Sequence, residues 1–175
     1  MEVELWDVYD RDRKKTGRTM VRGEEVKVGE YHLVVEVCVF HPDGRLLVQR
    51  RQTFKEGWPG RWAITAGGSA IRGESSHEAA ERELFEEVGI RADLRDVRPK
   101  LTVTGERTFL DIYRIVRDIN LEDLRLQEEE VLDARWATEE EIISMIRSGE
   151  FVPYYESVIH LLFDMGDRYG STCEK

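Results

Sequence analysis

Cysteine is nearly missing from this chain. Its two residues, Cys38 in an apolar stretch and Cys173 near the C-terminus, are too few for a disulfide framework, so both are expected to be free thiols of a cytoplasmic protein. Proline is scarce too: four in 175 residues leave no Pro/Gly/Ser-rich linker, and no repeat or low-complexity segment divides the chain. One domain over 1–175 is therefore expected, with 1–30 as an N-terminal strand or hairpin extension, 31–166 as the core and 167–175 as a tail. No apolar run approaches the ~20 residues of a membrane span. The start, Met1-Glu2-Val3-Glu4, lacks the basic and apolar regions of a secretory leader. Net positive charge is absent as well. A formal charge of −10 argues against nucleic acid or an anionic membrane as the main partner. Any phosphate-bearing ligand must then be met locally, by metal and a few Arg or Lys.

What the chain does have is a concentrated run of glutamates. Around Arg82-Glu83-Leu84-Phe85-Glu86-Glu87, a helix would place Glu83, Glu86 and Glu87 at i, i+3 and i+4, all on one face. Three unpaired carboxylates so close repel one another, and a hard divalent cation with oxygen ligands is the natural compensation. The spacing supports the helix independently. Ser75 and Glu78 form a capping-box pattern, Ala80, Leu84 and Val88 repeat as an apolar stripe, and Gly89 stands where a left-handed cap is needed. Upstream, Gly67-Gly68 reads as a loop in which backbone can approach a ligand closely. Glu74 is placed to tie that loop to the helix start. Arg82, one turn before Glu86, is placed to pair with Glu86 or Glu87. Taken without its flanks, such a charge run is more often a solvated face.

The rest of the chain alternates strands and helices. Strand patterns cover 4–9, 20–28, 31–40, 45–51, 62–66, 94–104, 107–116 and 131–136, with 10–17 a polar turn. Residues 120–130 read as an acidic loop. Thr138 caps a helix from 139 to about 147, ended by Gly149, and a last helix runs from 154 to 169 with Val158, Leu161, Leu162 and Met165 inward. Strands interleaved with helices on this pattern predict an α/β sandwich with a mixed sheet.

The fixed positions of the acidic stretch make a longer pattern. Gly68, five residues, Glu74, seven residues, Arg82-Glu83-Leu84, one residue, Glu86-Glu87, one residue, Gly89-Ile90 matches every fixed position of the Nudix box. The chain thus resembles the MutT-like Nudix hydrolases, a likeness covering about 31–163. The resemblance implies the Nudix fold, an α/β/α sandwich around a central mixed β-sheet. It also implies hydrolysis of a small-molecule diphosphate with Mg2+ or Mn2+. By carry-over, Glu86 and Glu87 are direct metal ligands, Glu83 is a ligand or water partner, and a carbonyl of Gly67 or Gly68 completes the shell. Arg82 orients the carboxylates, and Gly68 lies against substrate. Outside the box, Arg50 and Arg61 are the candidates for substrate phosphates, among the cations Arg50, Arg51, Lys55 and Arg61. Glu128, Glu129 and Glu130 read first as a solvated acidic loop, with one of them a candidate extra ligand. Trp58 and Trp62 read as packing aromatics, and His32 as a satisfied core histidine.

A narrower likeness runs through Trp6-Asp7-Val8-Tyr9-Asp10, Gly17, Tyr31-His32, Leu47-Val48-Gln49-Arg50-Arg51, Lys55 and Pro59-Gly60-Arg61-Trp62. It is similar to the branch related to isopentenyl-diphosphate isomerase. Those isomerases carry a catalytic Cys after the Trp and a metal-binding His at the end of that strand. Here Trp62 is followed by Ala63-Ile64-Thr65-Ala66-Gly67-Gly68-Ser69, and the box is intact. Both departures favour hydrolysis over isomerisation, and the intact box also disfavours a non-catalytic nucleotide sensor. A homodimer, the commonest oligomer in general, is the expected assembly.

Overall fold

The split of one apolar strand between two cores sets the architecture. The computed structural model describes residues 3–172; Met1, Glu2 and 173–175, with the expected free thiol of Cys173, lie outside the described residues. In β3 (His32–Phe40), Val35, Val37 and Val39 enter one core cluster while Cys38 and Phe40 enter the other. The period-2 alternation of a strand puts these sets on opposite faces of the sheet. The first cluster is covered by α1 (Ser76–Val88), the second by α2 (Glu139–Ser148) and α3 (Glu156–Met165). The result is the expected α/β/α sandwich.

The sheet is mixed. β3 runs parallel to β8 (Thr108–Val116) and antiparallel to β6 (Ala66–Ser69), and β8 continues to β7 (Leu101–Thr104). On the other side, β4 (Leu46–Arg51) pairs antiparallel with both β5 (Trp62–Ile64) and β9 (Val131–Ala137). β3 and β4 pair only at Phe40 and Leu46, and 62–69 fills the wedge between them. At the step from β5 to β6, the buried Thr65 hydroxyl donates to the Leu47 carbonyl at 2.5 Å and accepts from the Val39 N–H at 2.9 Å. One side chain thus replaces ladder bonds where the strands part. This wedge also places Gly67-Gly68 inside a strand, opposite Glu36 and Val35, where the sequence predicted a loop.

α1 begins and ends as its sequence predicts. Ser75 and Glu78 close a full capping box, and Gly89 caps the end at φ 76°. Ala80, Leu84 and Val88 are fully buried on the first core; burying Leu84 and Val88 stabilises by about 1.5–3 kcal/mol each. The three carbonyls at the helix end are taken by Gly89 N–H to Phe85, Arg125 N–H to Val88 and Gln127 N–H to Glu87, at 3.0–3.2 Å. Residues 120–130, which include a short 3-10 turn at Leu121–Asp123, are thus largely exposed, as expected, but are tied to the end of α1 through Arg125 and Gln127.

Three boundaries differ from the sequence expectation. The N-terminal hairpin is β1 (Leu5–Tyr9) with β2 (Lys15–Val21), so the second strand starts within the expected polar turn. Of the expected strand 94–104, only β7 forms. Its first part turns instead, with Leu94 N–H on the Glu81 carboxylate at 2.6 Å and the Leu94 side chain buried. α3 is shorter than 154–169 and buries Ile159 and Leu162, while Leu161 is exposed. The hairpin docks on the main sheet through reciprocal Tyr9–Tyr31 backbone bonds and a Trp6–His32 stack with centroids 4.4 Å apart. His32 is buried as expected, but its Nδ1 has no partner.

Candidate active site

The helix spacing delivers the three carboxylates to one cavity. Glu83, Glu86 and Glu87 of α1 line a cleft of ≈ 780 Å³ together with Gly67, Gly68 and Arg82. Arg82 organises the cluster. Its Nε and Nη2 grip both oxygens of Glu74 at 2.7 and 3.0 Å, its Nη1 bonds Glu83 at 2.8 Å and Glu86 at 3.1 Å, and Nη2 reaches the Ser69 carbonyl at 3.1 Å. Burial works against the guanidinium, but the bonds to Glu74 and the charge of Glu83 hold it firmly protonated. Glu74 also accepts from the Ile71 N–H at 2.9 Å, tying the segment before α1 to the helix as expected. Of the two partners expected for Arg82, Glu86 is taken and Glu87 is not.

Glu87 is held differently. It is 4% exposed and forms no ion pair among the described residues. Its Oε2 accepts from Gln49 Nε2 at 2.8 Å and from the Gly67 N–H at 3.3 Å. Burial, then the neighbouring Glu83 charge, push its carboxyl up to about 8. Burial likewise raises Glu83, against the opposing pull of Arg82.

These residues suit a hard cation. Every candidate donor is a carboxylate or backbone carbonyl oxygen, the set that Mg2+ takes. Gly68 permits the approach, because a Cβ added there would overlap the Glu83 carboxylate. Among the described residues, no three His, Cys, Asp or Glu side chains form a ready-made cage. Glu83 and Glu86 are drawn onto Arg82 instead, so a cation has to compete with that guanidinium. Gly68→Ala is expected to push Glu83 aside and lower kcat/KM at least about 10-fold while the protein still folds. Steady-state kinetics beside a melting curve checks this, and an unchanged kcat/KM would remove the Gly68–Glu83 contact from the account.

Across the cleft, strand parity decides which cations face it. On β4, Leu47, Gln49 and Arg51 point to the α1 side, while Arg50 points to the other. Arg51 lines the cavity, its Nε on the Gly57 carbonyl at 2.8 Å. Arg50 instead donates to the Gly60 carbonyl at 3.0 Å, and Arg61 lies over Trp58 with an Nη1 bond to the Phe151 carbonyl. Neither Arg50 nor Arg61 lines the cleft, so the structure does not bring these two expected phosphate ligands to Glu83, Glu86 and Glu87. Trp58 lies outside it as well, and Trp62 packs on the second core.

Other lining residues come from more distant segments: Lys55, Glu129 and Glu130 were among the expected candidates, whereas Gln127, Glu4, Trp6 and Arg22 were not foreseen. Lys55 is on the cleft in a close ion pair with Glu130, and Glu129 and Gln127 stand beside it, carried there by the tie between 120–130 and α1. Thus Glu129 and Glu130 line the cleft, whereas Glu128 contributes only a backbone carbonyl, to Gln52 at 2.7 Å. The hairpin supplies another wall. Glu4 accepts from Trp6 Nε1 at 2.7 Å and from Arg22 at 2.8 Å, and all three line the cleft. Glu4 and Trp6 share one face by strand parity, but nothing in the local pattern says that face covers this site. With Glu56 included, seven glutamates face four cations, an excess of negative charge that added positive charge would relieve.

A profile of the NUDIX domain matches residues 30–161. An uncharacterized Nudix hydrolase of Listeria monocytogenes is 49% identical over 153 residues, which cover 87% of this chain and 90% of that protein. An isopentenyl-diphosphate Delta-isomerase of Kocuria rhizophila is 28% identical over 152 residues, 82% of this chain and 83% of that protein. Among solved structures, one from Deinococcus radiodurans aligns with a TM-score of 0.71 at 21% identity, covering 91% of this chain and 97% of that one. The identity to the Listeria protein and the length of the domain match lead to the same family. This chain is a member of the Nudix hydrolases.

Proposed function

We propose that the protein is a Mg2+- or Mn2+-dependent pyrophosphohydrolase cleaving the diphosphate linkage of a nucleoside diphosphate derivative or a related organic pyrophosphate. One juxtaposition carries the reading: Glu83, Glu86 and Glu87 share a cleft with Arg51 and Lys55. When bound, a divalent cation neutralises diphosphate oxygens and makes an attacking water more acidic. The chain supplies the rest. Glu86 and Glu87 would be the direct ligands, Glu83 a ligand or a partner of water, and a carbonyl of Gly67 or Gly68 would complete the shell. Arg82 fixes the Glu83 and Glu86 rotamers through its bonds. Arg51 and Lys55 donate charge-assisted hydrogen bonds to the phosphates. Lys55 exchanges Glu130 for phosphate when it does so.

The isomerase reading draws on the Kocuria relative. It needs a proton-donating side chain near the glycines. Thr65 stands in that stretch, but its hydroxyl is committed to Leu47 and Val39. Cys38, the free cysteine among the described residues, lies buried in the second core, with burial raising its thiol far above the ordinary range. Hydrolysis is the better supported reading.

The test is a panel of nucleoside and non-nucleoside diphosphates, assayed for phosphate release with a coupling phosphatase or pyrophosphatase in Mg2+ or Mn2+. Turnover is expected for at least one class. Silence across the panel, with metal still bound, would shift weight to the isomerase or sensor readings. Once a substrate is known, Arg51→Ala is expected to raise KM about 10-fold with kcat little changed, and Arg50→Ala to leave both alone. An unchanged KM in Arg51→Ala would leave Arg51 without a phosphate role.

A further inference from the structure

Gln49 is a costly residue for its position. It is 3% exposed on β4, its cross-strand neighbours are Ala63 and Ala134, and it lies on the same sheet face as the buried Leu47. Its Oε1 is buried without a hydrogen-bond partner. A buried amide left half-satisfied destabilises a core, and Leu or Met would fill the same space without that cost. The two alanines leave room for the amide, and the amide reaches one group only, Glu87 Oε2. Toward the ionised carboxylate that would bind a cation its orientation is fixed, since turning Oε1 inward would set acceptor against acceptor.

Two donors, Gln49 Nε2 and the Gly67 N–H, converge on Oε2 of Glu87, and no protein donor among the described residues reaches Oε1. Glu87 lines the cleft, and its side chain has no cation to hold it, unlike Glu83 and Glu86 on Arg82. We infer that Gln49 is a positioning residue: it anchors one oxygen of Glu87 so that the other faces the cleft as a cation ligand. The inference rests on the metal-dependent reading above. It assigns Glu87 a support made of neutral donors, which fix the rotamer without competing charge. Outer hydrogen bonds of this kind typically contribute 10–100-fold to metal affinity or activity.

The experiment measures Mn2+ binding directly, by the loss of the free-ion electron paramagnetic resonance signal, in the parent protein and in Gln49→Met, Gln49→Leu and Glu87→Gln. Near-UV circular dichroism and melting curves report the fold of each. The parent is expected to bind Mn2+. Gln49→Met and Gln49→Leu are expected to fold and to bind it about 10–100-fold more weakly. In turnover, saturating Mn2+ should recover most of kcat in both, which a merely loosened core would not do. A parent that binds no Mn2+ would overturn the metal-dependent reading itself. A folded Gln49→Met binding Mn2+ as tightly as the parent would overturn only the role of Gln49. If both substitutions abolish cooperative melting, Gln49 is a packing residue first, and the inference fails.

Discussion

Replacing Glu87 by Gln is expected to lower kcat by at least about 100-fold while leaving the fold intact. Gln keeps the volume, and its carbonyl still accepts from Gln49 and the Gly67 N–H, so only the charge is removed. The same substitution should stabilise the metal-free protein at alkaline pH. The folded-state pKa of Glu87 is raised from 4.5 to about 8, chiefly by burial and then by Glu83. Between those values the folded protein holds a proton that the unfolded chain has released. The stability linked to that proton is therefore complete below about pH 4.5 and is lost as pH rises through 8. In EDTA, Glu87→Gln should melt above the parent at pH 8.5, with the difference shrinking toward pH 5. Full activity in the variant would remove Glu87 from the ligand set, and a lower melting temperature at pH 8.5 would contradict its electrostatic assignment.

The second large effect is on stability alone. Asp111 on β8 is 1% exposed and accepts from Thr102 Oγ1 at 2.7 Å, from Ser76 Oγ at 2.5 Å and from Arg13 Nη1 at 3.0 Å, with a closer second contact to Arg13 Nη2. One carboxylate thereby joins the hairpin turn, the first residue of α1 and two sheet strands. Tyr113 extends the set by donating to Ser76 Oγ at 2.9 Å. Asp111→Ala removes a buried carboxylate that accepts several hydrogen bonds; because Arg13 and Thr102 can turn to water, the loss is that of charge-assisted bonds, about 1.5–3 kcal/mol. For a chain of this length that is a drop in Tm of roughly 3–12 °C. Thermal and urea unfolding of Asp111→Ala checks it. A loss below about 1 kcal/mol would mean the network is as dispensable as a surface pair.

How much of this could be read from the sequence follows from which interactions are local. The box helix was legible because its signals lie within one element: Ser75 and Glu78 cap it, Gly89 ends it, and three glutamates share a face by helical spacing alone. The α/β sandwich with a mixed sheet was legible from the alternation of strands and helices, and its two-sided form from the resemblance to the Nudix family. The partner of Arg82 was half legible. Glu86 is a helical neighbour, but the bidentate grip on Glu74 depends on how the chain enters α1. Choosing between Arg50 and Arg51 required the register of β4 in the sheet, since a shift of one residue reverses every side chain. Gly67-Gly68 read as a loop because glycine pairs are poor strand formers; the wedge held open by Thr65 gives them strand partners all the same. The contributions of Glu4, Trp6, Arg22, Glu129 and Glu130 to the cleft come from segments distant in sequence. A half-buried acid on β3 escaped for a related reason. Glu36 reads as one polar break in an apolar run, yet it accepts from the Tyr154 hydroxyl at 2.6 Å, and burial pushes it up to about 7.

The central claim is that the carboxylates of α1 hold a divalent cation for attack by water on a diphosphate. It is tested most directly by turnover in 18O-labelled water with the substrate found in the panel. In Mg2+ or Mn2+ the account predicts one 18O atom in one of the two phosphate products per cleavage, with turnover abolished by EDTA and reduced at least about 100-fold in Glu87→Gln. Turnover that persists without metal, or an isomeric product that carries no 18O, would contradict it.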